Sequence, residues 1–541
     1  MCDKTTIDQE ELNVLIARVE NAIEHNLALS AEDMRLLLSA ILTLSTLQQK
    51  IEDKDVTLYK LRKLLGIVKK SEQNRAHKGN NKSNKDKNKS GKKQSKKRKK
   101  KFNVPIVVHK IQEHIKGQTC PQCSRGKLYK HESGSLLRIT GNIPYTAEKH
   151  ITKQLRCNAC QQIYKAPLPE AVLEDGGPNQ QYGYSSRTLM VINKFFTGTP
   201  YNHQSNLSDI FNLSISASTI FNQAEYVAND VIPVYYELIR QAANALNFMI
   251  DDTHNRILSQ QPEERANRNG KGTRLRTGVY TSGLIALLST NIEIILFETS
   301  LGHAGEHLDS ILSKRSPGLL KPLIMSDALS NNNPTVIEVE QSNCNSHCRR
   351  QFYDLEEKHP EEVNWLLNKY ANIWINEKAV KDKSLNPEDR LGYHKNKSLP
   401  VMEEIKEWGM SKLNSEEFEE HSSFSKAIKY LLKHYNKLVK FCKVPGALLD
   451  NNRMEETLKI VIRGRKTAYF YKTANGAGVA NVLISIIATA YSANVKIFDY
   501  LLSVQKNRDK VKQDPKLWLP WNYTEQIRKL QVNNSLKKEA P

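Results

Sequence analysis

The chain has 541 residues, more than one hydrophobic core usually organises, so we expect several domains. Its 80 Lys and Arg residues outnumber 58 Asp and Glu residues, and the formal net charge of +22 favours a polyanionic partner such as nucleic acid. The polar opening does not resemble a secretory signal, and Val479–Val495 is too polar for a membrane span, which needs roughly 20 apolar residues. We therefore expect a soluble cytoplasmic protein with no membrane partner, in which Val479–Val495 is a core helix.

Residues 1–70 are predicted to be helical. Ser30 and Asp33 have the spacing of a capping box and mark the start of a second helix. From Met34 to Ile51 apolar residues recur at steps of three and four, with one polar break at Gln48, as in a heptad seam. The seam fits a coiled coil between two chains or a helical hairpin packed within its own domain.

Residues 71–101 form a low-complexity linker that is predicted to be disordered, because it contains almost nothing apolar. Between Lys78 and Lys101 there are 13 basic residues and one acid. The run fits either non-specific contacts to phosphates or a solvated tether.

Residues 102–170 carry the first metal motif. Two C-x-x-C pairs can close a four-thiolate shell around one structural Zn²⁺, and the 33 residues between them leave room for the hairpin of a zinc ribbon. Strand-like runs occur there at Leu136–Thr140 and His150–Arg156. Without an export signal the spacing favours metal over disulfides, and two copies make a redox role the weaker alternative. The predicted zinc ligands are Cys120, Cys123, Cys157 and Cys160.

Residues 171–244 are predicted to be helical, and we interpret them as a DNA-binding segment. Ser208–Asn222 has an apolar helix, a short turn and a second helix start at Ser216 or Ser218, the rhythm of a helix-turn-helix. An ordinary pair of packed helices fits the same pattern.

Residues 245–338 change to short apolar runs between turns, which predict strands. These runs are Leu246–Ile250, Gly278–Leu288, Ile292–Phe297 and Leu323–Met325. Residues 339–446 are mostly charged and helical, residues 447–505 return to apolar helix, and residues 506–541 form a polar tail. Strands followed by helices predict a multidomain α+β protein with a mixed sheet covered by helices.

Three carboxylates stand where a metal site could form. Asp251 and Asp327 each follow an apolar strand, at the sheet edge where ligands bind, and Glu455 lies in a helix that opens at Asp450. Two hard cations about 3.5–4 Å apart need oxygen ligands from several directions. Taken alone, each Asp fits a turn residue better, and Glu455 also fits a capping box begun by Asn452.

Taken in order, these residues resemble the transposases of the insertion sequence 66 type, over nearly the whole chain. The most specific blocks are Asp450 to Glu455, like the family's Asp-Asn-Asn-x-x-Glu, and Gly464 to Lys466, like its Gly-Arg-Lys. The other matching blocks are Leu61–Gln73, Ile143–His150, Phe195–Gln223, Asp251 to Thr253, Asp327, and Cys344 and His347 followed by Arg349, Arg350 and Phe352.

The resemblance implies an RNase H-like catalytic core with a helical insertion, and the reaction of a DDE transposase. Asp251, Asp327 and Glu455 would hold two Mg²⁺ or Mn²⁺ ions during hydrolysis at the element's ends and attack of the freed 3′-hydroxyls on target DNA. The implied partners are double-stranded DNA, as terminal inverted repeats and target, and accessory proteins of the same element. Because both ends must be cut in concert, we expect a homodimer or higher assembly on the bacterial nucleoid.

Basic residues near these blocks are candidates for DNA contact. Arg463, Arg465 and Lys466 lie two to three helical turns after Glu455 and fit contacts to the phosphates of the cut strand, or a solvated basic face. The basic residues that match the family after its Cys-x-x-His are Arg349 and Arg350.

Cys344 and His347 fit a structural pair that positions the insertion near DNA, or a plain buried pair. They offer only two metal ligands, and no spacing supports the possible additions Cys348, His303 and His307.

The chain departs from the family at a few positions. Asp252 replaces a Glu, the Gly-Tyr usual after the second aspartate is absent after Asp327, and Glu456 and Lys459 replace arginines. None of these changes removes a proposed metal ligand, and Asp252 and Glu456 fit supporting groups or alternate ligands. Two rival functions are a catalytically inactive zinc-ribbon protein that binds DNA, and an RNase H-like nuclease that only hydrolyses.

Overall fold

The computed structural model describes residues 9–25, 27–37, 117–119, 127, 144–156, 163–176, 180–266, 272–289, 292–415 and 418–539. The chain separates into two units, Met1–His131 and Glu132–Pro541. The following predicted features lie outside the described residues: the four zinc ligands Cys120, Cys123, Cys157 and Cys160, the linker 71–101, and the heptad seam beyond Leu37.

The first unit contains helix α1 (Gln9–Glu24) and a second helical stretch at residues 31–37. The Ser30 hydroxyl accepts a hydrogen bond from the Asp33 backbone N–H at 3.0 Å and donates one to the Asp33 carboxylate at 2.8 Å. Arg18 of α1 lies 3.3 Å from the same carboxylate. The predicted helix start at Ser30 is therefore confirmed, with the Asp33 carboxylate bonded to the Ser30 hydroxyl.

The second unit begins with a small antiparallel hairpin, β1 (Gln154–Arg156) and β2 (Ile163–Lys165). Four helices follow, α2 (Glu170–Glu174), α3 (Tyr184–Phe195), α4 (Tyr201–Ile210) and α5 (Ala217–Ala242). Helix α5 starts at one of the two predicted positions, since Ser216 accepts a hydrogen bond from the Thr219 N–H at 3.2 Å. Its apolar side joins the main core, so α4 and α5 form a packed helix pair, and a DNA role for their turn stays a prediction.

A five-stranded mixed sheet forms the centre of this unit. Its strands are β3 (Asn247–Asn255), β6 (Val279–Ser289), β7 (Ile292–Ser300), β8 (Leu323–Ser326) and β9 (Glu340–Asn343). The order is β7-β6-β3-β8-β9, with β6 antiparallel to both neighbours and the β3, β8 and β9 strands parallel. A separate hairpin consists of β4 (Glu263–Ala266) and β5 (Thr273–Arg276). The strands predicted between 245 and 338 are present, and the architecture is the expected mixture of sheet and helices.

Helix α13 (Ala474–Ser492) covers the outer edge of β7. Three polar side chains, spaced four residues apart, accept hydrogen bonds from alternate backbone N–H groups of this edge strand. The pairs are Asn481 with Thr299, Ser485 with Phe297 and Thr489 with Ile295, at 2.9–3.0 Å. The polar residues that interrupt the apolar run thus satisfy N–H groups that would otherwise be unpaired at the edge of the sheet.

Helix α13 is also long and apolar enough to cross a membrane by length and composition, but 67% of its most apolar window is buried inside the protein. Its packing against β7 and α5 confirms the predicted core helix.

Between β9 and residue 450 the chain forms a helical layer with its own apolar core. Its helices are α7 (Asn345–Tyr353), α8 (Pro360–Asp382), α9 (Pro387–Lys397), α10 (Leu399–Asn414) and α11 (Ser423–Leu438). Helix α6 (Ala304–Leu312) does not belong to this layer; it precedes β8 and packs on β3 and β6. The insertion predicted from residue 339 differs at its start, because Glu340–Asn343 form the edge strand β9.

The remaining helices return to the sheet. They are α12 (Asn452–Ala468), α14 (Ile497–Lys506), α15 (Arg508–Gln513) and α16 (Tyr523–Glu539). The segment predicted as a polar tail is instead helical from Arg508 and enters the core through Val511, Trp518 and Leu519. A few apolar side chains in a polar stretch suffice to anchor it: Trp518 is fully buried, and its carbonyl accepts a hydrogen bond from the Tyr500 hydroxyl at 2.8 Å.

Candidate active site

The prediction that Asp251 follows its strand is wrong: it lies in the middle of β3, because pairing with β6 extends the strand to Asn255, and only the buried part of the strand ends at Asp251. It is paired with Gly283 of β6, and its carboxylate accepts a hydrogen bond from the Asp252 N–H at 2.8 Å. The pKa of Asp251 is raised to about 7: burial is the largest cause, the nearby charges of Asp327, Glu455 and Asp252 contribute in the same direction, and the hydrogen bond from the Asp252 N–H opposes them. This carboxyl is held in surroundings that oppose its ionised form.

Asp327 follows β8 directly. Parallel pairing aligns Met249 of β3 with Met325 of β8, and continuing this register by two residues sets Asp327 level with Asp251 on the neighbouring strand. One Asp327 oxygen accepts hydrogen bonds from the Leu329 N–H at 3.2 Å and from the Asn332 side chain. The first turn after the strand therefore fixes the orientation of this carboxylate.

The start of α12, which carries Glu455, is tied to β3 next to Asp251. The Asn451 side chain is fully buried and donates a hydrogen bond to the Ile250 carbonyl at 3.0 Å. Asp450 accepts hydrogen bonds from the Asn452 N–H at 3.1 Å and from the Trp374 indole of α8 at 3.0 Å. The helix cap is Asn451 and not Asn452, so the alternative of a capping box from Asn452 to Glu455 does not hold.

Gly283 allows α12 to approach the sheet closely. A Cβ atom on this glycine would lie 2.3 Å from the terminal carbon of Met454 and 3.1 Å from a methyl group of Leu458, both on α12. A glycine in a strand often marks such a contact. Asp251 and Glu455 thus belong to two elements that meet at the one β6 residue without a side chain.

Glu455 faces the first turn of α7. One oxygen lies 3.5 Å from Nδ1 of His347, and the other lies 3.6 Å from the Arg350 guanidinium. The ligand atoms of Cys344, His347 and Glu455 all lie within 4.8 Å of one another. In the part of the chain that the structure describes, no such group of three ligand atoms includes Asp251 or Asp327. Both oxygens of Glu455 contact α7.

A second polar network lies on the opposite face of β3. Side chains alternate along a strand, so Asp252 points away from the α12 side. It accepts a hydrogen bond from the Ser282 hydroxyl at 2.7 Å and contacts Nδ1 of His303 at 2.9 Å. The other His303 nitrogen lies 3.4 Å from Asn331, next to the Asn332 that bonds Asp327. Asp252 therefore connects β3, through His303, to the loop that carries Asp327, on the face of the sheet opposite α12.

The predicted DNA-contacting residues of α12 have differing surroundings. Arg463 donates to the Phe196 carbonyl at 2.8 Å, and Arg465 donates to the Thr253 hydroxyl at 2.9 Å and to the His254 carbonyl. These bonds brace α12 against its neighbours without any DNA. Lys466 is exposed.

On α7, Arg349 lies over the Tyr353 ring, and burial lowers the pKa of its guanidinium. Arg350 is exposed and pairs with Glu455 as described. A role in DNA contact stays a prediction for all five basic residues.

The candidate additions to the Cys344 and His347 pair lie elsewhere. Cys348 is fully buried in the core of the helical layer, His303 contacts Asp252, and His307 lies 3.5 Å from Glu298. Glu455 lies beside Cys344 and His347 although more than 100 residues separate it from them, so their spacing in the sequence could not connect the three. Three further residues have structural roles that the sequence did not predict. Gly283 carried a signal as an isolated glycine within a strand pattern, Asn451 lay in the family block without a role of its own, and His303 was a candidate metal ligand but contacts Asp252.

A family model described as Transposase IS66 family matches residues 180–479, more than half of the chain and all of the region that holds Asp251, Asp327 and Glu455. The uncharacterized protein y4hP of Sinorhizobium fredii (strain NBRC 101917 / NGR234) is 23% identical over 396 residues, which cover 69% of this chain and 67% of that protein. Such a match across the sheet, the helical layer and the start of α13 identifies the chain as a member of the IS66 transposase family, whose enzymes act on DNA.

Proposed function

We propose that the protein cuts and joins DNA as a DDE transposase, using two divalent cations held by Asp251, Asp327 and Glu455. The observation that carries this proposal is the parallel register of β3 and β8, which sets Asp327 level with Asp251 on the neighbouring strand. The pKa of Asp251, raised mainly by burial and less by the two other acids, agrees with it. A divalent cation among these groups would offset their repulsion and favour the ionised carboxylates.

The topology supports an RNase H-like core. Three antiparallel strands in the order β7-β6-β3, continued by the parallel strands β8 and β9, form the arrangement that we expect of this fold. The proposed division is a helical N-terminus (1–70), a basic linker (71–101), a zinc module (102–170), a DNA-binding segment (171–244), a core in two parts (245–338 and 447–505), an insertion (339–446) and a C-terminal segment (506–541).

The donor set suits Mg²⁺ or Mn²⁺, which prefer carboxylate oxygens and keep part of their shell for substrate phosphate. One Glu455 oxygen is buried without a hydrogen-bond partner, so it is available as a ligand. Turning this side chain from His347 and Arg350 towards Asp251 would complete the set. When bound, the cations would stabilise the attacking and leaving oxygens of an in-line displacement at phosphorus.

The chain's own residues would hold this geometry. Asn451 fixes the start of α12 against Ile250, and Asn332 fixes the Asp327 carboxylate. Lys466 is exposed on the same helix as Glu455 and is free to reach a backbone phosphate. We further propose that the enzyme binds terminal inverted repeats and target DNA as a dimer or higher assembly, with accessory proteins of the same element.

The test is strand joining by the purified full-length protein with Mg²⁺ or Mn²⁺ and DNA that carries the element's own ends. Glu455→Gln should lose cleavage and joining but retain DNA binding. The neighbouring Glu456→Gln should retain both activities, because Glu456 is exposed and lies 3.7 Å from Arg453. Cleavage without a joined product would favour a nuclease. Binding without cleavage, even with the accessory proteins, would favour an inactive relative.

The zinc module rests on the sequence alone. Cys120→Ser should lose about one equivalent of zinc by atomic absorption, because a four-thiolate site needs all its ligands. Cys442→Ser, which removes a buried thiol of the helical layer, should keep its zinc. Equal zinc content in the two variants would contradict the ribbon.

A further inference from the structure

Cys344, His347 and Glu455 bring a sulfur, a nitrogen and an oxygen donor together between two helices. Cys344 immediately precedes α7, His347 lies in the first turn of that helix, and Glu455 lies in the first turn of α12. Their ligand atoms lie within 4.8 Å of one another. Thiolate, imidazole and carboxylate are the three side-chain types that bind zinc, whereas Mg²⁺ does not favour a thiolate.

The facing atoms are unsatisfied in the absence of a cation. Nδ1 of His347 and Oε1 of Glu455 are both buried and lie 3.5 Å apart, yet neither makes a hydrogen bond. Buried polar atoms nearly always have a partner, so two such atoms that face each other require an explanation. A shared cation would satisfy both of them at once.

The scaffold around the three donors is fixed. The Cys344 backbone N–H donates to the Ser326 carbonyl at 2.9 Å, and the fully buried Asn345 side chain donates to the Leu449 carbonyl at 3.1 Å. The Asn451 N–H donates to the Cys344 sulfur at 3.2 Å, which would stabilise a thiolate there. Both helix starts are therefore held in place, and little rearrangement is needed to bind an ion.

We propose that Cys344, His347 and Glu455 form an open site for one zinc-class cation, with the fourth position left to solvent. The bound thiol gives up its proton to water as the cation binds. The other Glu455 oxygen lies 3.6 Å from the half-exposed Arg350 guanidinium, so Oε1 is the oxygen that would bind the cation.

The site also has a consequence for catalysis, and this part rests on the proposed function. A zinc ion at α7 would take Oε1 of Glu455, and Oε2 lies 3.6 Å from Arg350, so both oxygens of the carboxylate would be engaged on the α7 side. Zinc bound at α7 therefore holds Glu455 away from the other two carboxylates and inhibits the magnesium-dependent reaction.

Cobalt binding tests the site directly, because thiolate ligation gives Co²⁺ a charge-transfer absorption in the near ultraviolet. The full-length protein is purified in zinc so that the four-cysteine module is filled, treated with a mild chelator until one zinc per chain remains, and then titrated with Co²⁺. Wild type and Cys442→Ser should both show the thiolate band, with cobalt counted by mass spectrometry, and Cys344→Ser should lose it. Cys442 is the matched control, since it is another buried free thiol.

His347→Ala guards against a folding defect in Cys344→Ser, since the His347 side chain is partly exposed. It should bind cobalt at least roughly tenfold more weakly than wild type, because even an indirect support of a metal ligand is worth that much. Absence of the band in wild type, or equal cobalt affinity in wild type and His347→Ala, would overturn the site.

The inhibition is tested by the ratio of cleavage rates with and without zinc at saturating Mg²⁺. Zinc should lower the ratio in wild type and leave it nearly unchanged in His347→Ala, and equal inhibition of both would overturn this consequence. A protein that binds cobalt as expected but never cleaves DNA would contradict the proposed function and leave the cation site supported.

Discussion

Two buried carboxylates, one in the sheet and one in the helical layer, have opposite pKa shifts. Burial, with a smaller contribution from the acids around it, raises the pKa of Asp251 in β3 to about 7. Glu377 in α8 is more deeply buried, at 6% exposure, and burial alone would raise its pKa; a hydrogen bond from His394 and the charges of Arg390 and Lys381 outweigh this effect and lower it to about 2. His394 and Arg390 lie 3.0 Å and 2.9 Å from Glu377.

The difference separates structural from functional burial of charge. Glu377 has its counter-charges within the protein, so it holds helices α8 and α9 together and needs nothing from outside. Asp251 is opposed by burial and by the charges of Asp327, Glu455 and Asp252, and the hydrogen bond from the Asp252 N–H offsets these effects only in part. Strained titratable groups of this kind are typical of sites that bind a cation or substrate.

The largest contrast is expected in strand cleavage. Asp251→Asn should lower the rate on the order of 1000-fold or more, because the proposed cations lose a ligand. Glu377→Gln should leave the rate of the folded protein unchanged, since this residue lies outside the proposed site. Comparable losses in both variants, measured at equal folded fraction by circular dichroism, would erase the distinction between the two carboxylates.

For the stability of the protein, we expect the larger effect from the change at Glu377. Glu377→Ala should cost about 3–5 kcal/mol, because it leaves Arg390 and His394 buried without their anion. Chemical denaturation monitored by circular dichroism measures this loss. Glu404→Ala is the matched control on the surface, where loss of the Lys369 pair should change stability by less than about 1 kcal/mol. A small loss of stability in Glu377→Ala would mean that water takes the place of the carboxylate beside Arg390 and His394.

The stability of the protein should depend on pH through the ionisation of Asp251. The folded-state pKa of Asp251, about 7, lies above the value near 3.9 of an unfolded chain. The folded protein therefore holds an extra proton between these values, and its stability falls as the pH rises from about 4 to about 7. Asp251→Asn removes this loss, so above pH 7 in a chelator its Tm should exceed that of wild type by about 2–4 °C.

At pH 4 the two proteins should melt together, because Asp251 is then protonated in the folded state. Saturating Mg²⁺ at pH 8 should reverse the order, since only the wild type has its full set of carboxylates for the cation. A Tm difference that stays constant across this pH range would show that repulsion among the acids is not its source.

The strands and the two aspartates could be predicted because their signals are local. An apolar run that ends in a carboxylate is visible in four to six residues, as at Asn247–Asp251 and Leu323–Asp327. Strand β9 could not be predicted this way, because Glu340–Asn343 are all polar. Its side chains are paired by the helical layer, with Lys440 bound to Glu340 and Lys437 bound to Gln341.

The contacts that join Glu455 to the rest of the site are long-range and were not predictable from spacing. Asn451 bonds a carbonyl 201 residues earlier, and its N–H donates to the sulfur of Cys344, 107 residues earlier. Polar residues of this kind look like turn residues in the sequence. The resemblance to a family identified the block, and the structure supplies the physical reason for Asn451 within it.

Gly283 is the point where this long-range packing is most easily disturbed. Gly283→Ala would force Met454 and Leu458 outward and lift the first turn of α12, with Glu455, from Asp251. We expect a loss of about 1–3 kcal/mol of stability, typical of an overpacked core, because the Met454 end can yield but the Leu458 methyl has less room. Cleavage should fall by more than the lost folded fraction accounts for.

Gly392→Ala in α9 is the matched control from the helical layer, where a Cβ meets nothing within 4 Å. There the substitution should stabilise the protein by about 0.5–1 kcal/mol, because alanine loses less backbone entropy than glycine in a helix. Denaturation and cleavage measured on both variants show whether the close approach of α12 to β6 positions Glu455. If Gly283→Ala is as harmless as Gly392→Ala, α12 adapts freely and the close approach to β6 does not position Glu455. If it loses cleavage while remaining folded, a methyl group on the strand beside Asp251 is enough to separate the acids.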